Sequence, residues 1–361
     1  MKILVVLESY YPNIGGVEEL FQSLCEGLVR HGHAVTVFTT HEPSQHAHTF
    51  VNGVEVRRLR FRSRYGFSLF SLPTLCRLSI DCDVMLTTSY NAALPAWVAA
   101  RWRHKKIVVT FHEVWGDLWF SLPFMGRIRK YGHSLFERLL LRLPFDRFVA
   151  PSLATAHRLK AYGVEPTRIA HIYNGVDYAA FEGHTHSPPE VFTYCYFGRL
   201  GISKGLDILL PAASRFAMRY PESRLDLIVP TKPAGQFKKI TKLIRRYNLT
   251  PHLRLRHNLS RSAILHAVSQ AHCVVIPSYS EGFCFAAVEA VALGVPVIVS
   301  NRGALPEVVS GKHLVMTDLT PDALYDALVQ AMRGAWSSTP IKRFPMENTL
   351  EEYRRLIEGM L

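Results

Sequence analysis

The sequence predicts an α/β protein of two Rossmann-like domains facing each other across a cleft, and three features carry that prediction. Short apolar runs rich in Val and Ile alternate with segments of helical period from end to end, the pattern of parallel sheets with helices on both faces. The series begins twice, first at KILVV and again at FTYCYF. Between the two beginnings lies YAAFEGHTHSPPE, Tyr178 to Glu190, which is full of turn formers and has no periodicity.

In the first series the strand ILVVL leads to the helical segment VEELFQSLCEGLVRHG and the strand AVTVFTT. DVMLTT, AALPAWVAARW and KIVVTFH follow as strand, helix and strand. The opening MKILVVLES has an apolar run only from Ile3 to Leu7 before Glu8, too short for a secretory signal, and reads as a buried parallel strand. The second series runs from TYCYFGRL through LDILLPAASRFAMRY, RLDLIVP, a basic helix near Phe237 to Tyr247, HLRLRHNL, ILHAVSQA and CVVIPS to VPVIVS. Domains are therefore expected over residues 1–180 and 181–345. An amphipathic helix over 346–361 follows the breaker region Pro340 to Pro345 and could return to the first domain.

Composition narrows the class. With 361 residues and 48% hydrophobic content the chain can bury two cores. The most apolar stretch, Phe283 to Val299, is broken by Glu289, Gly294 and Pro296, which argues against a membrane span. Six scattered cysteines without C-x-x-C pairs fit reduced thiols in a cytoplasmic protein, with neither disulfides nor zinc expected. The net charge of +13 is concentrated: residues 57 to 147 hold 16 Lys and Arg against 6 Asp and Glu, a local excess of 10. There Arg and Lys interleave with Phe, Leu and Trp, which suits an anionic membrane surface better than nucleic acid. The expected partner is thus the inner face of a membrane, bound peripherally, and no nucleic acid.

The chemistry gathers in SYSEGFCFAAVEAVALGVPVIVS. Strand VVIPS, a polar loop, a helix from about Phe283 to Leu293 and strand VPVIVS form a β-loop-α-β unit. Gly282 lets the backbone approach an anion at the helix start, Glu281 stands at its mouth, and Glu289 lies two turns deeper. Carboxylates beside an anion site accept hydroxyls, so a sugar nucleotide has the matching composition. Arg199 and Lys204 flank a glycine-rich turn after TYCYFG and can grip a diphosphate, neutralising a leaving nucleotide. In the first domain Gly15 and Gly16 open a helix after a strand, without a full G-x-G-x-x-G fingerprint. His112 and Glu113 end the strand KIVVT where a doubly wound sheet faces its ligand. Asp81-Cys82-Asp83 has the spacing of a metal-binding D-x-D, but directly precedes a strand and reads as turn chemistry. The histidines show no metal-ligand spacing.

These segments resemble the retaining glycosyltransferases of GT-B fold called family 4. The carriers are PNIGGVE at the start, TFHE at 110–113, YNGVD at 173–177, FGRLGISKG at 197–205, SEGFCFAAVEAVALGVPVI at 280–298 and RGALPEVV at 302–309. The resemblance implies an acceptor-binding first domain and a nucleotide-sugar-binding second domain. It implies that Gly16 approaches the donor diphosphate, that His112 lies by the transferred sugar, and that Arg199 and Lys204 bind the diphosphate. Glu281 would contact sugar hydroxyls, with the backbone N–H groups of Phe283 and Cys284 near the sugar's distal edge or the phosphates, and Glu289 would accept from the ribose. Asn174, in the YNGVD segment, joins the substrate-binding set with Gly15 and Gly282. The implied reaction moves a hexose-type sugar from a nucleotide diphosphate donor, UDP or GDP, to a lipid-linked or surface-glycan acceptor, with the configuration retained and no cofactor or metal. The chain departs from the family where Cys284, Phe285 and Ala286 stand for the common Gly, Leu and Pro, and where Ala304 stands for Gly. The alternatives are a sugar-nucleotide epimerase or phosphorylase of the same fold, and a non-catalytic glycan- or nucleotide-binding component of a larger transferase.

Overall fold

The computed structural model describes residues 1–12, 15–41, 45–60, 64–123 and 125–361. The chain divides into two compact units: residues 1–121, 126–176 and 344–361 form one, and residues 122–125 and 177–343 the other.

The first unit is built on strands β1 (Lys2–Val6), β2 (Ala34–Thr40), β3 (His48–Val51), β4 (Val54–Leu59), β5 (Val84–Thr88), β6 (Lys106–Thr110), β7 (Arg147–Ala150) and β8 (Ile169–His171). Among the described residues they form one sheet in the order β3-β4-β2-β1-β5-β6-β7-β8, parallel except for the β3–β4 edge hairpin. The central strands are buried along nearly their whole length, as expected where helices cover both faces. Those helices are α1 (Gly16–Arg30), α2 (Arg64–Phe70), α3 (Leu72–Leu78), α4 (Ala93–Trp102), α5 (Arg127–Arg142) and α6 (Leu153–Ala161). Helix α1 shows why its sequence folds so: Leu20, Phe21, Leu24, Cys25 and Leu28 make one buried stripe, and Glu18 and Glu19 sit in the first turn, where the helix dipole favours them.

The second unit repeats the plan with β9 (Thr193–Phe197), α7 (Leu206–Arg219), β10 (Arg224–Ile228), α8 (Ala234–Arg246), β11 (Leu253–Arg256), α9 (Arg261–Ser269), β12 (Cys273–Ile276), α10 (Phe285–Ala292), β13 (Val297–Val299), α11 (Leu305–Val308), β14 (Gly311–Val315), α12 (Pro321–Met332) and β15 (Ser337–Thr339). The strand order is β11-β10-β9-β12-β13-β14-β15, parallel except for β15. Tyr194 meets Phe216 of α7 edge-on with ring centres 5.7 Å apart, in a core that continues through Leu227, Val275 and Leu328. Because β10 and β11 lie on one side of β9 while β12 and β13 lie on the other, the winding reverses between β9 and β12. Loops diverging at such a switch point open a crevice at the carboxyl ends of the strands.

The chain then returns to the first unit as α13 (Met346–Glu358), which buries Met346, Thr349, Leu350, Tyr353 and Ile357. Leu350 lies against the backbone of α1 at Gly27, and the Tyr353 hydroxyl shares a 2.7 Å hydrogen bond with Thr110 at the end of β6. The Thr349 hydroxyl donates to the Tyr173 carbonyl at 2.8 Å, and the Val176 amide donates to the Phe344 carbonyl at 2.8 Å.

Candidate functional site

In the second unit the two loops at the β9–β12 switch point carry the residues singled out above. The loop after β9 ends at Gly205, the N-cap of α7, held at φ +67. Any Cβ there would collide with the Pro277 carbonyl, so glycine is what lets the two loops touch. Their backbones are joined by the Tyr279 amide, which donates to the Ser203 carbonyl at 2.8 Å. The Tyr279 hydroxyl donates to Asp207 at 2.7 Å, and burial, aided by that carboxylate, raises the phenol well above its ordinary range.

This juncture brings Lys204 and Glu281 together. The Lys204 ammonium lies 2.7 Å from Oε1 of Glu281, and the Ser278 hydroxyl donates to the same oxygen at 2.7 Å. Both charged side chains are largely buried, at 23% and 11% exposed, so the pair is fixed rather than screened away. The sequence assigned the two residues separate duties; here they form an ion pair. The backbone of Glu281 is pinned from a third loop, after β13: the Ala304 amide donates to its carbonyl at 2.8 Å, and Gly303, at φ +58, lies close against its main chain. Arg199 comes from the same loop as Lys204. Its carbonyl accepts from the Tyr196 hydroxyl at 3.3 Å, and its side chain is exposed to solvent.

Gly282, Phe283 and Cys284 are buried behind Glu281 and lead into α10. Cys284 caps that helix at φ +84, a left-handed backbone that glycine adopts freely and an L side chain rarely does. The departure from the family's glycine therefore retains the glycine conformation. Burial pushes the Cys284 thiol well above its ordinary value, which disfavours the thiolate. Phe283 and Phe285 meet edge-on at 5.3 Å beside it.

Glu289 lies inside α10 at 6% exposure. Its two oxygens receive the two terminal nitrogens of Arg261, at 3.0 and 2.7 Å, in a fork-on-fork ion pair. Arg261 and Ser278 were not found by sequence reasoning. Ser278 lay within the PSYSEG run and could have been flagged by proximity, whereas nothing in NLSRS marks Arg261.

The first unit places its candidates at the carboxyl ends of its own strands. Gly15 is the extended N-cap of α1 and Gly16 its first residue; Asn13 and Ile14 of the PNIGGVE motif lie outside the described residues. His112 follows β6, and its half-buried ring meets Phe21 of α1 edge-on at 6.0 Å. The next residues are tied down by Glu137 of α5, fully buried, which accepts from the Trp115 and Gly116 amides at 2.8 and 2.6 Å, the Trp119 indole at 3.1 Å and the Tyr90 hydroxyl at 2.9 Å. That clamp was also missed. Asn174 is buried in the segment after β8. Asp83 of the D-x-D accepts from the Lys2 amide at 2.7 Å, joining the start of β5 to that of β1.

Comparison with known proteins agrees over nearly the whole chain. Residues 14–180 match the family model Glycosyltransferase Family 4, and residues 181–343 match the model Glycosyl transferases group 1. A component of the phosphatidylinositol N-acetylglucosaminyltransferase of Homo sapiens is 25% identical over 93% of this chain and 69% of its own. A GDP-mannose:cellobiosyl-diphosphopolyprenol alpha-mannosyltransferase of Xanthomonas oryzae is 27% identical over 83% of this chain and 79% of its own. Among solved structures, sucrose-phosphate synthase from Thermosynechococcus elongatus superposes with a TM-score of 0.79 at 18% identity, covering 100% of this chain and 97% of that one, a likeness of fold.

Proposed function

The chain belongs to glycosyltransferase family 4 and is a glycosyltransferase of GT-B fold, and from that premise we propose that it moves a hexose-type sugar from a nucleotide diphosphate sugar to a lipid-linked or surface-glycan acceptor, with retention. The observation that carries the reading is the Lys204–Glu281 pair, braced by Ser278 at the β9–β12 switch point, with buried Glu289 on α10, the helix that follows the Glu281 loop. Lys204, with exposed Arg199 from the same loop, is suited to the charge a leaving diphosphate develops. Glu281, with the amides of Gly282 to Cys284 following, is suited to sugar hydroxyls and the adjoining phosphate. Glu289 is suited to the ribose. Retention needs no protein nucleophile if the leaving phosphate oxygen takes the acceptor's proton on the same face.

Thermal shift against a panel of nucleoside diphosphates tests the donor assignment, because a ligand that binds only the folded state raises its stability by mass action. Stabilisation by one base family, lost in Glu289→Ala, is expected; no shift with any nucleoside diphosphate refutes it.

The lipid part of the proposal rests on α5. Ile128 and Leu135 are 88% and 72% exposed, and with Tyr131 and Leu139 they form one apolar stripe flanked by Arg127, Arg129, Arg138 and Arg142. Such a face suits the boundary of an anionic bilayer. The two named relatives act, by their names, on phosphatidylinositol and on a diphosphopolyprenol. No helix among the described residues is long and apolar enough to cross a membrane. Sedimentation with anionic vesicles, weakened in Leu135→Glu, is the expected result; equal binding to neutral and anionic vesicles removes this part.

A further inference from the structure

Glu289 is a buried carboxylate, and a buried charge without a partner is expensive. Its partner is Arg261, the first residue of α9, whose helix is capped by the Ser260 hydroxyl accepting from the Ala263 amide at 3.3 Å. The contact is bidentate, with Nη1 at 3.0 Å from Oε2 and Nη2 at 2.7 Å from Oε1. A planar guanidinium that meets both oxygens fixes the plane of the carboxylate as well as its charge. The Arg261 side chain is 34% exposed, while that of Glu289 is 7% exposed.

We infer that Arg261 is a positioning residue for nucleotide recognition: it presents the Glu289 carboxylate, ionised and in a fixed plane, to the vicinal hydroxyls of the donor's ribose, and so sets the enzyme's preference for ribonucleotides over deoxyribonucleotides. The inference rests on the proposed nucleotide-sugar function. Its chemistry follows from capacity. A carboxylate has about four acceptor positions, two on each oxygen, and a guanidinium fork takes one from each. A cis-diol also donates one hydrogen bond to each oxygen, so the fork and the ribose fit the same group together. Hydrogen bonds to a charged acceptor differ from their absence by roughly 10- to 100-fold in affinity. Arg261 reaches the nucleotide only through Glu289, so its loss acts on binding more than on the chemical step.

The experiment compares affinities of UDP with 2′-deoxy-UDP, and of GDP with 2′-deoxy-GDP, by calorimetry for wild type, Arg261→Gln and Arg261→Lys, with kcat and KM for the donor alongside. Wild type is expected to favour the ribonucleotide by at least about tenfold. In Arg261→Gln that ratio falls below about threefold, with KM raised and kcat nearly kept; Arg261→Lys, which retains the charge without the fork, lies between. A purely structural role would weaken both nucleotides equally and leave the ratio intact, which would overturn the inference. Tighter binding of the ribonucleotide by Arg261→Gln would also overturn it, since the arginine would then be occupying the ribose's place. If Arg261→Gln lacks the wild-type thermal transition, the ratio in Arg261→Lys decides on the same terms. Failure of wild type to bind any member of the nucleoside diphosphate panel would instead remove the nucleotide-sugar function itself.

Discussion

Replacing Gly303 by alanine tests whether the placement of Glu281, and not merely its presence, governs the reaction. Gly303 holds φ +58, and a Cβ there would fall on the Glu281 carbonyl oxygen and 2.7 Å from its nitrogen. Both are backbone atoms, so no flexible side chain can give way. The left-handed conformation costs an L residue about 1–2 kcal/mol. Overpacking adds about 1–3 kcal/mol, and the stiffer unfolded chain returns about 0.4–1 kcal/mol. The net loss is about 1–5 kcal/mol, which for a unit of this size lowers Tm by roughly 2–18 °C. Relieving the collision means moving the Glu281 main chain by close to an ångström, and a misplacement of that size can cost about 100-fold in rate. Differential scanning fluorimetry and steady-state kinetics on the same preparations read both effects. Gly235→Ala is the control, because nothing lies within 4 Å of a Cβ at that position. Its expected effect is neutral to slightly stabilising. A Gly303→Ala enzyme with Tm within 1 °C and kcat within about twofold of wild type would refute the assignment of Glu281 to the reacting sugar through this loop, given the roughly 100-fold expectation.

Two other perturbations probe the scaffold. In Glu137→Gln the amide nitrogen would face two of the four donors now held by the carboxylate; at about 1–3 kcal/mol for each unsatisfied buried group the loss is about 2–6 kcal/mol, to be read as earlier thermal unfolding followed by tryptophan fluorescence. An unchanged midpoint would mean the clamp is not formed in solution. His272 titrates below its ordinary range because it is partly buried, and its Nδ1 accepts from the Thr193 amide at 3.1 Å, which only an unprotonated nitrogen can do. Since the folded state depresses this pKa, the unfolded chain binds the proton first as pH falls below about 6.5. The contribution of His272 is thus present above that pH and lost on acidification; His272→Asn should flatten the stability profile between about pH 7 and 5, and a variant with the wild-type slope would contradict it.

The fold was legible because central parallel strands must be apolar on both faces, so ILVVL, KIVVT and CVVI stand out of the sequence unaided. Edge elements carry no such mark. β15 is the exposed tripeptide SST, and β3 alternates between half-buried and exposed residues, so periodicity had nothing to detect there. At the site, the loops bearing Lys204 and Glu281 were found from glycine and charge chemistry. Their contact was not, because β9 and β12 become neighbours only through the winding of the sheet, and no local pattern spans the 77 residues between them. Glu289 was read as a hydroxyl acceptor, but its fork with Arg261 depends on how α9 and α10 lie beside each other. The same holds for Glu137: one charge inside an amphipathic helix looks like a surface residue until the loop it holds is placed over it. Conversely, the sequence shows Cys284 only as a departure from the family's glycine, and the left-handed backbone on which it sits, one that glycine adopts freely, carries no mark in the sequence.

The most direct test of the central claim is release of nucleoside diphosphate from a panel of UDP- and GDP-hexoses, measured for wild type and Glu281→Ala at equal concentration of folded protein. Wild type is expected to release one nucleoside diphosphate, faster when acceptor lipid is added, while Glu281→Ala keeps nucleotide binding and loses about 100-fold or more in rate. Equal, negligible release by both proteins from every donor would contradict the account.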